Sequence, residues 1–460
     1  MIVMKFGGTS VGSADAIERV VEIVRSRLPR EPVVVSSATA KTTDELVSLA
    51  QAAASRDREK TTALADWIIK KHVVILSQLG LRDDPSMIHL LDEVTRELVR
   101  VTERLFEAGA VEKELLDDCL SWGEYLSCNI LPCFLRTQGI PSRWVDARQV
   151  FFTDSRFGKA RPVVGESKPR AVNQILPVVD AGEVPVVQGF IGSDARGRIT
   201  TFGRGGSDYS ATALGGLLSV DAVEIWTDVD GIMTADPSLV QEVKRIRRMT
   251  FEEAAELAYF GAKVLHPATL LPAVEAGISV WVLNSMNPSL PGTEILPETG
   301  AAETDLPVVK SIAYKEGLTV LDIKSSRMLM AYGFLATIFG IFNRYETPVD
   351  LVATSEVSVS LTIDNLENIE LILKELSAVA EVEMRREQAV VCLVGSNICR
   401  QPGLPGQVFS QLEDVAVNLI SQGASKINIS FVIDESDLPR VINRLHESFF
   451  TRDLNEAIFA

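Results

Sequence analysis

Over roughly the first 285 positions, short runs of consecutive apolar residues alternate with longer stretches of helical periodicity. The runs Met1–Phe6, Pro32–Ser37, Val184–Phe190, Val223–Thr227 and Ile278–Leu283 read as strands. The patterns at Ala14–Leu28, Thr43–Ala54 and Tyr209–Leu218 predict amphipathic helices that follow them. Uninterrupted apolar strands separated by helices imply an α/β fold, a largely parallel sheet sandwiched by helices. Ligands of such sheets bind at the carboxyl ends of the strands, so the Gly-rich turns that follow strands become the first places to look for chemistry.

The pattern changes after position 284. Asn287-Pro288, Pro291-Gly292, Pro297 and Pro307 mark a boundary of turn formers. Beyond it the chain repeats itself with a shift of 70 positions. Val357–Asp364 aligns with Ile427–Asp434, and both alternate with period two, as half-buried strands do. The same shift aligns Gly333-Phe334-Leu335 and Phe339 with Gly403-Leu404-Pro405 and Phe409. With a small gap, Val349–Val352 matches Val417–Ile420. Each unit reads strand, helix, strand, strand, helix, which predicts two ferredoxin-like βαββα modules. Leu335, Ile338, Phe339 and Phe342 form one helical stripe, expected to pack into a core.

Composition narrows the function classes. The chain has 460 residues, 46% of them hydrophobic, enough for two or three cores. A formal charge of -17 argues against sequence-independent binding of nucleic acid, which needs clustered Lys and Arg. Five cysteines without Cys-x-x-Cys spacing are expected to be reduced, mostly buried thiols of a cytoplasmic protein. The four histidines show no metal-ligand spacing, so no resident metal is expected. No signal peptide or membrane-spanning run is evident, and a soluble protein is expected.

Five segments carry candidate chemistry. Lys5-Phe6-Gly7-Gly8-Thr9-Ser10-Val11-Gly12 runs from the first strand towards a helix near Asp15. Adjacent glycines let backbone N–H groups approach an anion, the helix start adds positive potential, and Lys5 adds a fixed charge. The alternative is a tight turn with a surface lysine. Phe202-Gly203-Arg204-Gly205-Gly206-Ser207-Asp208 is a second such turn, where Arg204 offers a fork for a carboxylate. Asp208 has an N-cap as its alternative role. Glu124, after Gly123 in an apolar helical region, is a candidate for an ammonium group, or else a solvated helix carboxylate. Asp228 follows a strand and is a candidate for a ribose or metal, or else part of a turn. In Gly261–Pro267, Lys263 is a candidate for nucleotide phosphate, whereas His266 before Pro267 reads as structural.

Together these segments resemble the aspartate kinase family of the amino acid kinase superfamily. The resemblance extends to Ser36-Ser37-Ala38 through Thr43-Asp44, to Ala262–Thr269, and to the C-terminal pair, which resembles tandem ACT modules. It implies a catalytic domain over 1–297, a linker over 298–310, and ACT-like modules over 311–387 and 388–460, with the C-terminal tail available to complete the first. It implies ATP-dependent phosphorylation of the L-aspartate side chain, the first step towards lysine, threonine and methionine, with Mg²⁺ bound mainly through the ATP phosphates. Lys5 would stabilise the phosphoryl group and Asp208 would organise the site around it. Arg204 would hold the α-carboxylate and Glu124 the α-ammonium, helped by Ser37, Thr43 and Ser207. Lys5, Gly7, Gly8, Thr9, Ser10, Thr227, Asp228, Met233 and Lys263 would line the nucleotide site.

The same resemblance extends to regulation. Met328, Gly333, Leu335, Asp350, Thr354, Ser355, Glu356 and Val357 are similar to the effector-binding stretch of lysine-inhibited members, with Asp350 and Glu356 facing the ammonium groups. Packing at a module interface is the alternative. A homodimer or tetramer through the ACT modules is expected, with no nucleic acid or membrane partner. Some relatives carry Tyr at the position of Met233, Arg at that of Ser238, and a Gly-Val type pair in place of Lys41-Thr42. The nearest alternatives are kinases for glutamate, N-acetylglutamate or UMP. The last two substrates have no free α-ammonium and would leave Glu124 without a partner. A non-catalytic amino acid sensor is the alternative from another class.

Overall fold

The computed structural model describes residues 1–261, 265, 267–297, 308–325, 332–451 and 458–460. Lys263, His266 and Met328 lie outside the described residues. The chain divides into two compact units. The first contains Met1–Ile232, Arg247–Phe251 and residues 265–297; the second contains Met233–Ile246, residues 252–261 and the chain from 308 onward.

The strands of the first unit are β1 (Ile2–Phe6), β2 (Pro32–Ser36), β3 (Ser142–Val145), β4 (Val184–Gln188), β5 (Ile191–Ser193), β6 (Ile199–Thr201), β7 (Ala222–Thr227), β8 (Arg248–Thr250), β9 (Ser279–Asn284) and β10 (Thr293–Leu296). One sheet runs β3-β4-β2-β1-β7-β9-β10-β8, and β5 with β6 forms a separate hairpin. From β3 to β9 every pairing is parallel; β10 runs antiparallel to β9, and β8, parallel to β10, forms the edge. All five residues of β1, β2 and β4 are buried, as expected of strands covered on both faces.

The helices are α1 (Ala14–Arg27), α2 (Thr42–Ala54), α3 (Arg58–Gln78), α4 (Pro85–Ala108), α5 (Lys113–Thr137), α6 (Ala147–Val150), α7 (Val164–Asp180), α8 (Gly206–Leu218), α9 (Phe251–Tyr259) and α10 (Pro267–Ala276). α1 starts where the sequence signals it: Ser13 caps the N–H of Ala16, Asp15 sits in the first turn, and Arg25 and Arg27 in the last. α5 is different, because its middle is apolar on all sides. It is buried from Cys119 to Leu135 with few gaps, as a core helix must be. Asp117 and Glu124 are carried into the interior on it. The five cysteines are unpaired; Cys119, Cys128, Cys133 and Cys392 are buried and Cys399 partly so.

The second unit is built from β11 (Val308–Lys324), β12 (Val352–Thr354), β13 (Ser358–Ile363), β14 (Glu381–Ser396), β15 (Val417–Gln422) and β16 (Asn428–Asp434). Helices α11 (Phe334–Arg344), α12 (Ile369–Ser377), α13 (Leu404–Ser410) and α14 (Leu438–Phe450) complete the repeat. The aligned segments do occupy equivalent places, β13 with β16 and α11 with α13.

The two repeats share one six-stranded sheet, ordered β12-β13-β11-β14-β16-β15. β11 and β14 are long, 17 and 16 residues, and each serves both repeats. Residues 319–324 of β11 pair with β13, while residues 308–315 of the same strand pair with 390–396 of β14. β14 in turn pairs with β16 through Gln388–Val394. The second repeat therefore takes its outer strand from upstream of the first, a pairing that the division at 310 and 387 does not anticipate. Of the C-terminal tail, residues 458–460 are described, and there Ala460 exchanges backbone hydrogen bonds of 2.9 and 3.1 Å with Arg245. In the α11 stripe only Ile338 and Phe342 are buried. Leu335 and Phe339 stay 39% and 38% exposed, because the helix turns them away from the sheet its other face covers.

Candidate functional site

Lys5 is the fourth residue of β1 and is 8% exposed, so the strand delivers its ammonium into a largely dry place. Its Nζ lies 2.6 Å from Oδ1 of Asp208, in the first turn of α8. That oxygen makes no well-aligned hydrogen bond, so the contact is an ion pair held by charge rather than by direction. Of the two glycines after Lys5, Gly8 is sterically required. A Cβ on Gly8 would sit 2.9 Å from the carbonyl oxygen of Ala38 in the β2–α2 loop. The octet is then tied to neighbouring strand ends. Gly7 N–H donates to the Trp226 carbonyl at 3.2 Å, and Ser10 Oγ meets Ser285 Oγ at 2.8 Å.

A cleft of about 520 Å³ opens at these strand ends. Of the residues singled out in the sequence, Lys5, Gly8, Ser37, Thr43, Glu124, Arg204, Ser207 and Asp208 line it. They come from four separate stretches of chain, which supports reading them as one site. Arg204 is exposed, and among the described residues it has no hydrogen-bond or ion-pair partner, so its guanidinium is free for an anion.

Glu124 is the most constrained of the set. It is 3% exposed on α5. Its Oε1 accepts the Ala38 N–H at 3.2 Å, while its Oε2 is buried without a partner. Burial pushes its pKa up to about 8, with the Ala38 N–H only partly opposing that rise. Burial with one unpartnered oxygen disfavours the ionised form of this carboxyl until a cation arrives to pair with it. The solvated-carboxylate alternative is therefore excluded by its burial.

Several cleft residues were not singled out in the sequence. Asp117, seven residues before Glu124 on α5, accepts hydrogen bonds from the N–H groups of Gly158 and Thr201 and from the Thr201 hydroxyl, at 2.7–2.9 Å. Burial raises its pKa, against those hydrogen bonds. A spacing of seven in one helix places both acids on one face two turns apart, a signal available before folding. Phe190 also lines the cleft with φ of 71°, a strained value for a residue with a Cβ. Ser210 Oγ accepts its N–H at 2.8 Å, and Phe202 N–H donates to its carbonyl at 2.9 Å. Nothing local in the sequence marks it.

Among the described residues, the other candidates for nucleotide do not line this cleft. Thr9 is exposed at the turn and Ser10 is buried against Ser285. Thr227 ends β7, and its carbonyl accepts from Ser285 N–H at 2.8 Å. Asp228 is exposed and accepts from the Thr227 hydroxyl at 3.2 Å. Met233 belongs to the second unit, where its carbonyl accepts from Ser311 Oγ at 2.8 Å. Within the second unit, Gly333 caps α11 with φ of 83°, Leu335 follows it, and Thr354, Ser355, Glu356 and Val357 are exposed around the turn into β13. Asp350 is already occupied. Its carboxylate pairs with Lys315 Nζ at 3.0 Å and accepts from Tyr259 Oη at 2.8 Å. Lys315 also pairs with Asp364 at 2.8 Å.

Comparison with known proteins places this geometry. Residues 1–284 match the amino acid kinase family, and residues 391–449 match an ACT domain. The chain is 40% identical to lysine-sensitive aspartokinase 3 of Escherichia coli (strain K12), over 98% of its own length and 99% of that protein's. It belongs to the aspartokinase family. The fold agrees. The crystal structure of E. coli aspartokinase III with aspartate and ADP, described as the R-state, matches with a TM-score of 0.82 at 38% identity, covering 98% of this chain and all of that one. The T-state of the same enzyme, with lysine and aspartate, matches with a TM-score of 0.81 at 39% identity, covering 98% of this chain and 99% of that one. The family resemblance read from the octet, the second Gly-rich turn and the tandem repeat is therefore correct. As an aspartokinase-family chain it is an α/β kinase followed by ACT modules, and among the described residues no helix is long and apolar enough to cross a membrane.

Proposed function

We propose that the protein transfers the γ-phosphoryl group of ATP to the side-chain carboxylate of L-aspartate, giving 4-phospho-L-aspartate and ADP, and that lysine inhibits it. The observation that carries the acceptor's identity is the buried, unpaired Oε2 of Glu124 beside the Lys5–Asp208 pair. An α-ammonium completes Glu124, and the free Arg204 fork takes the α-carboxylate. Ser37, Thr43 and Ser207 supply hydroxyls along the same cleft. The relatives that bind aspartate, ADP and lysine support this reading.

The chemistry needs no general base. A side-chain carboxylate of pKa ~4 is all but fully ionised at pH 7. One of its oxygens attacks the γ-phosphorus, the bond from that phosphorus to the bridging oxygen breaks, and ADP leaves with the electron pair. The obstacle is mutual repulsion of two anions, so the enzyme must supply positive potential and alignment. Lys5 supplies the charge, Asp208 holds its ammonium at the strand end, and the Gly7-Gly8 backbone allows close approach. Mg²⁺ enters with ATP as part of the substrate, held through phosphate oxygens; among the described residues no three acidic, His or Cys side chains converge to hold it otherwise. Lys5, Gly7, Gly8, Thr9, Ser10, Thr227, Asp228, Met233 and Lys263 are the residues proposed to receive the nucleotide.

In the regulatory unit the proposed lysine site comprises Gly333, Leu335, Asp350 and Thr354–Val357, with Met328. A homo-oligomer formed through the ACT modules, with Leu335 and Phe339 giving α11 an apolar outer face, and a cytoplasmic location complete the proposal. Initial rates of ADP release with aspartate, glutamate and N-acetylglutamate test it, each with and without lysine, threonine or methionine. Aspartate should be the preferred acceptor and lysine the effective inhibitor. Preference for an acceptor without an α-ammonium would sink the assignment, and threonine inhibition without a lysine effect would overturn the choice of effector.

A further inference from the structure

The β2–α2 loop, residues 37–41, sits at the centre of the aspartate subsite. Its Ala38 N–H fixes Oε1 of Glu124, and that bond leaves Oε2 as the free oxygen. Yet the loop contains Lys41 with φ of 65°, a left-handed conformation that residues with a Cβ rarely adopt. Something must hold it there.

Two consecutive residues of α3, neither of them lining the cleft, make the contacts that do so. Lys71 Nζ donates to the Ala40 carbonyl at 2.5 Å and to Thr42 Oγ1 at 2.9 Å, and pairs with Glu45 at 3.1 Å. His72 is fully buried, with Nδ1 2.7 Å from the Ile68 carbonyl and Nε2 3.0 Å from Thr39 Oγ1. Thr39 Oγ1 and Thr42 Oγ1 are 2.6 Å apart.

The direction of every bond in this network follows from its ends. A carbonyl can only accept, so His72 carries its proton on Nδ1 and its Nε2 accepts from Thr39. With its proton given to His72, Thr39 accepts from Thr42. Thr42 in turn accepts from Lys71, which has no acceptor of its own. The relay runs Lys71 to Thr42 to Thr39 to His72 to Ile68 with no donor left over. It clamps residues 39, 40 and 42 around the strained Lys41.

We infer that Lys71 and His72 are positioning residues for the acceptor: through the loop they set the Ala38 N–H that orients Glu124. The inference rests on the proposal that Glu124 binds the α-ammonium of aspartate. It bears more on the acceptor than on the nucleotide, because the loop is hydrogen-bonded to Glu124 through the Ala38 N–H, whereas towards the first Gly-rich turn it offers only the close packing of Ala38 and Ala40 against Gly8.

The test is steady-state kinetics on Lys71→Met, His72→Leu and His72→Gln, varying aspartate and ATP separately, with the melting temperature of each variant. Lys71→Met and His72→Leu should raise KM for aspartate by roughly tenfold, the scale for a misplaced subsite, and leave KM for ATP within about twofold. His72→Gln, which keeps a donor and an acceptor, should recover part of that loss. Lys71 is 19% exposed, so its variant keeps the test alive if the His72 variants fail to fold. Folded variants with a lowered melting temperature but an unchanged KM for aspartate would reduce the relay to a structural device and overturn the inference. Equal rises in both KM values would overturn it as well. A wild-type enzyme that does not phosphorylate aspartate would instead defeat the functional proposal on which it stands.

Discussion

Glu124 in the kinase unit and Asp350 in the regulatory unit are both carboxylates read as partners for an ammonium group, and the fold treats them oppositely. Glu124 keeps one oxygen empty in a buried place, with its pKa lifted to about 8 by burial. Asp350 is 5% exposed and already saturated by Lys315 and Tyr259. Burial alone would lower the pKa of Lys315, but its hydrogen bonds to Asp364 and Asp350 outweigh that and raise it, so the pair stays charged. The difference teaches how the two sites use the same chemistry. A substrate subsite gains by waiting unsatisfied, since the incoming ammonium relieves an existing cost. If Asp350 receives the effector as proposed, its pairing with Lys315 makes that binding an exchange. Its affinity is then set by a difference between two pairings, which suits a coupling of ~1–3 kcal/mol.

The comparison can be broken at either end. The largest effect is expected at Lys5: Lys5→Ala should retain the circular dichroism of the wild type and lower kcat by roughly 10²–10³, the scale for one lost electrostatic stabiliser. Near-normal turnover in a folded variant would remove Lys5 from the chemistry. Next, Glu124→Gln should raise KM for aspartate by about 30-fold, equivalent to ~2 kcal/mol for a broken buried charge pair, and change KM for ATP little. An unchanged KM for aspartate would return Glu124 to a structural role.

The third expectation concerns pH. The free enzyme holds a proton on Glu124 below about pH 8, and only the ionised form pairs with an ammonium. Aspartate binding therefore releases that proton, and KM for aspartate should rise about tenfold as pH falls from 7 to 6. The same group affects stability in the opposite sense. Its folded pKa lies above the ordinary glutamate value of about 4.5, so the unliganded fold binds the extra proton and loses stability as pH rises from about 4.5 to about 8. Calorimetry of aspartate binding in buffers of different ionisation enthalpy would count the released proton, and finding none would contradict the shift.

The smallest effect is the most specific to the regulatory side. Lys315→Met removes the internal competitor for Asp350, so the lysine concentration for half-inhibition should fall by about fivefold, ~1 kcal/mol, with uninhibited activity retained. Weaker inhibition in that variant would mean that Lys315 builds the effector site rather than competes for it.

Much of the kinase site was legible before folding because its signals are local. Lys5, Gly7, Gly8 and the run from Gly203 to Asp208 are contiguous, and glycines beside a strand end have few other uses. The repeat was legible for the same reason, since β13 and β16 each carry their own alternation. The missed residues depend on distant partners. Asp117 is marked in the sequence only by its spacing of seven from Glu124, and what it holds is set by Thr201, 84 positions away, which donates to it. His72 reads as one helical residue among many until Thr39 is placed against it.

By itself the sequence determined the family, the two-part organisation and the residues at the turns, because strand periodicity, glycine geometry and fixed charge act over a few positions. Tertiary structure alone decided which carboxylate would wait open and which would be closed by a lysine. It also decided that β11 would serve both repeats, since its first half pairs with residues 390–396 of β14, far along the chain. Desolvation and pairing are properties of neighbours in space, and no window along the chain contains them.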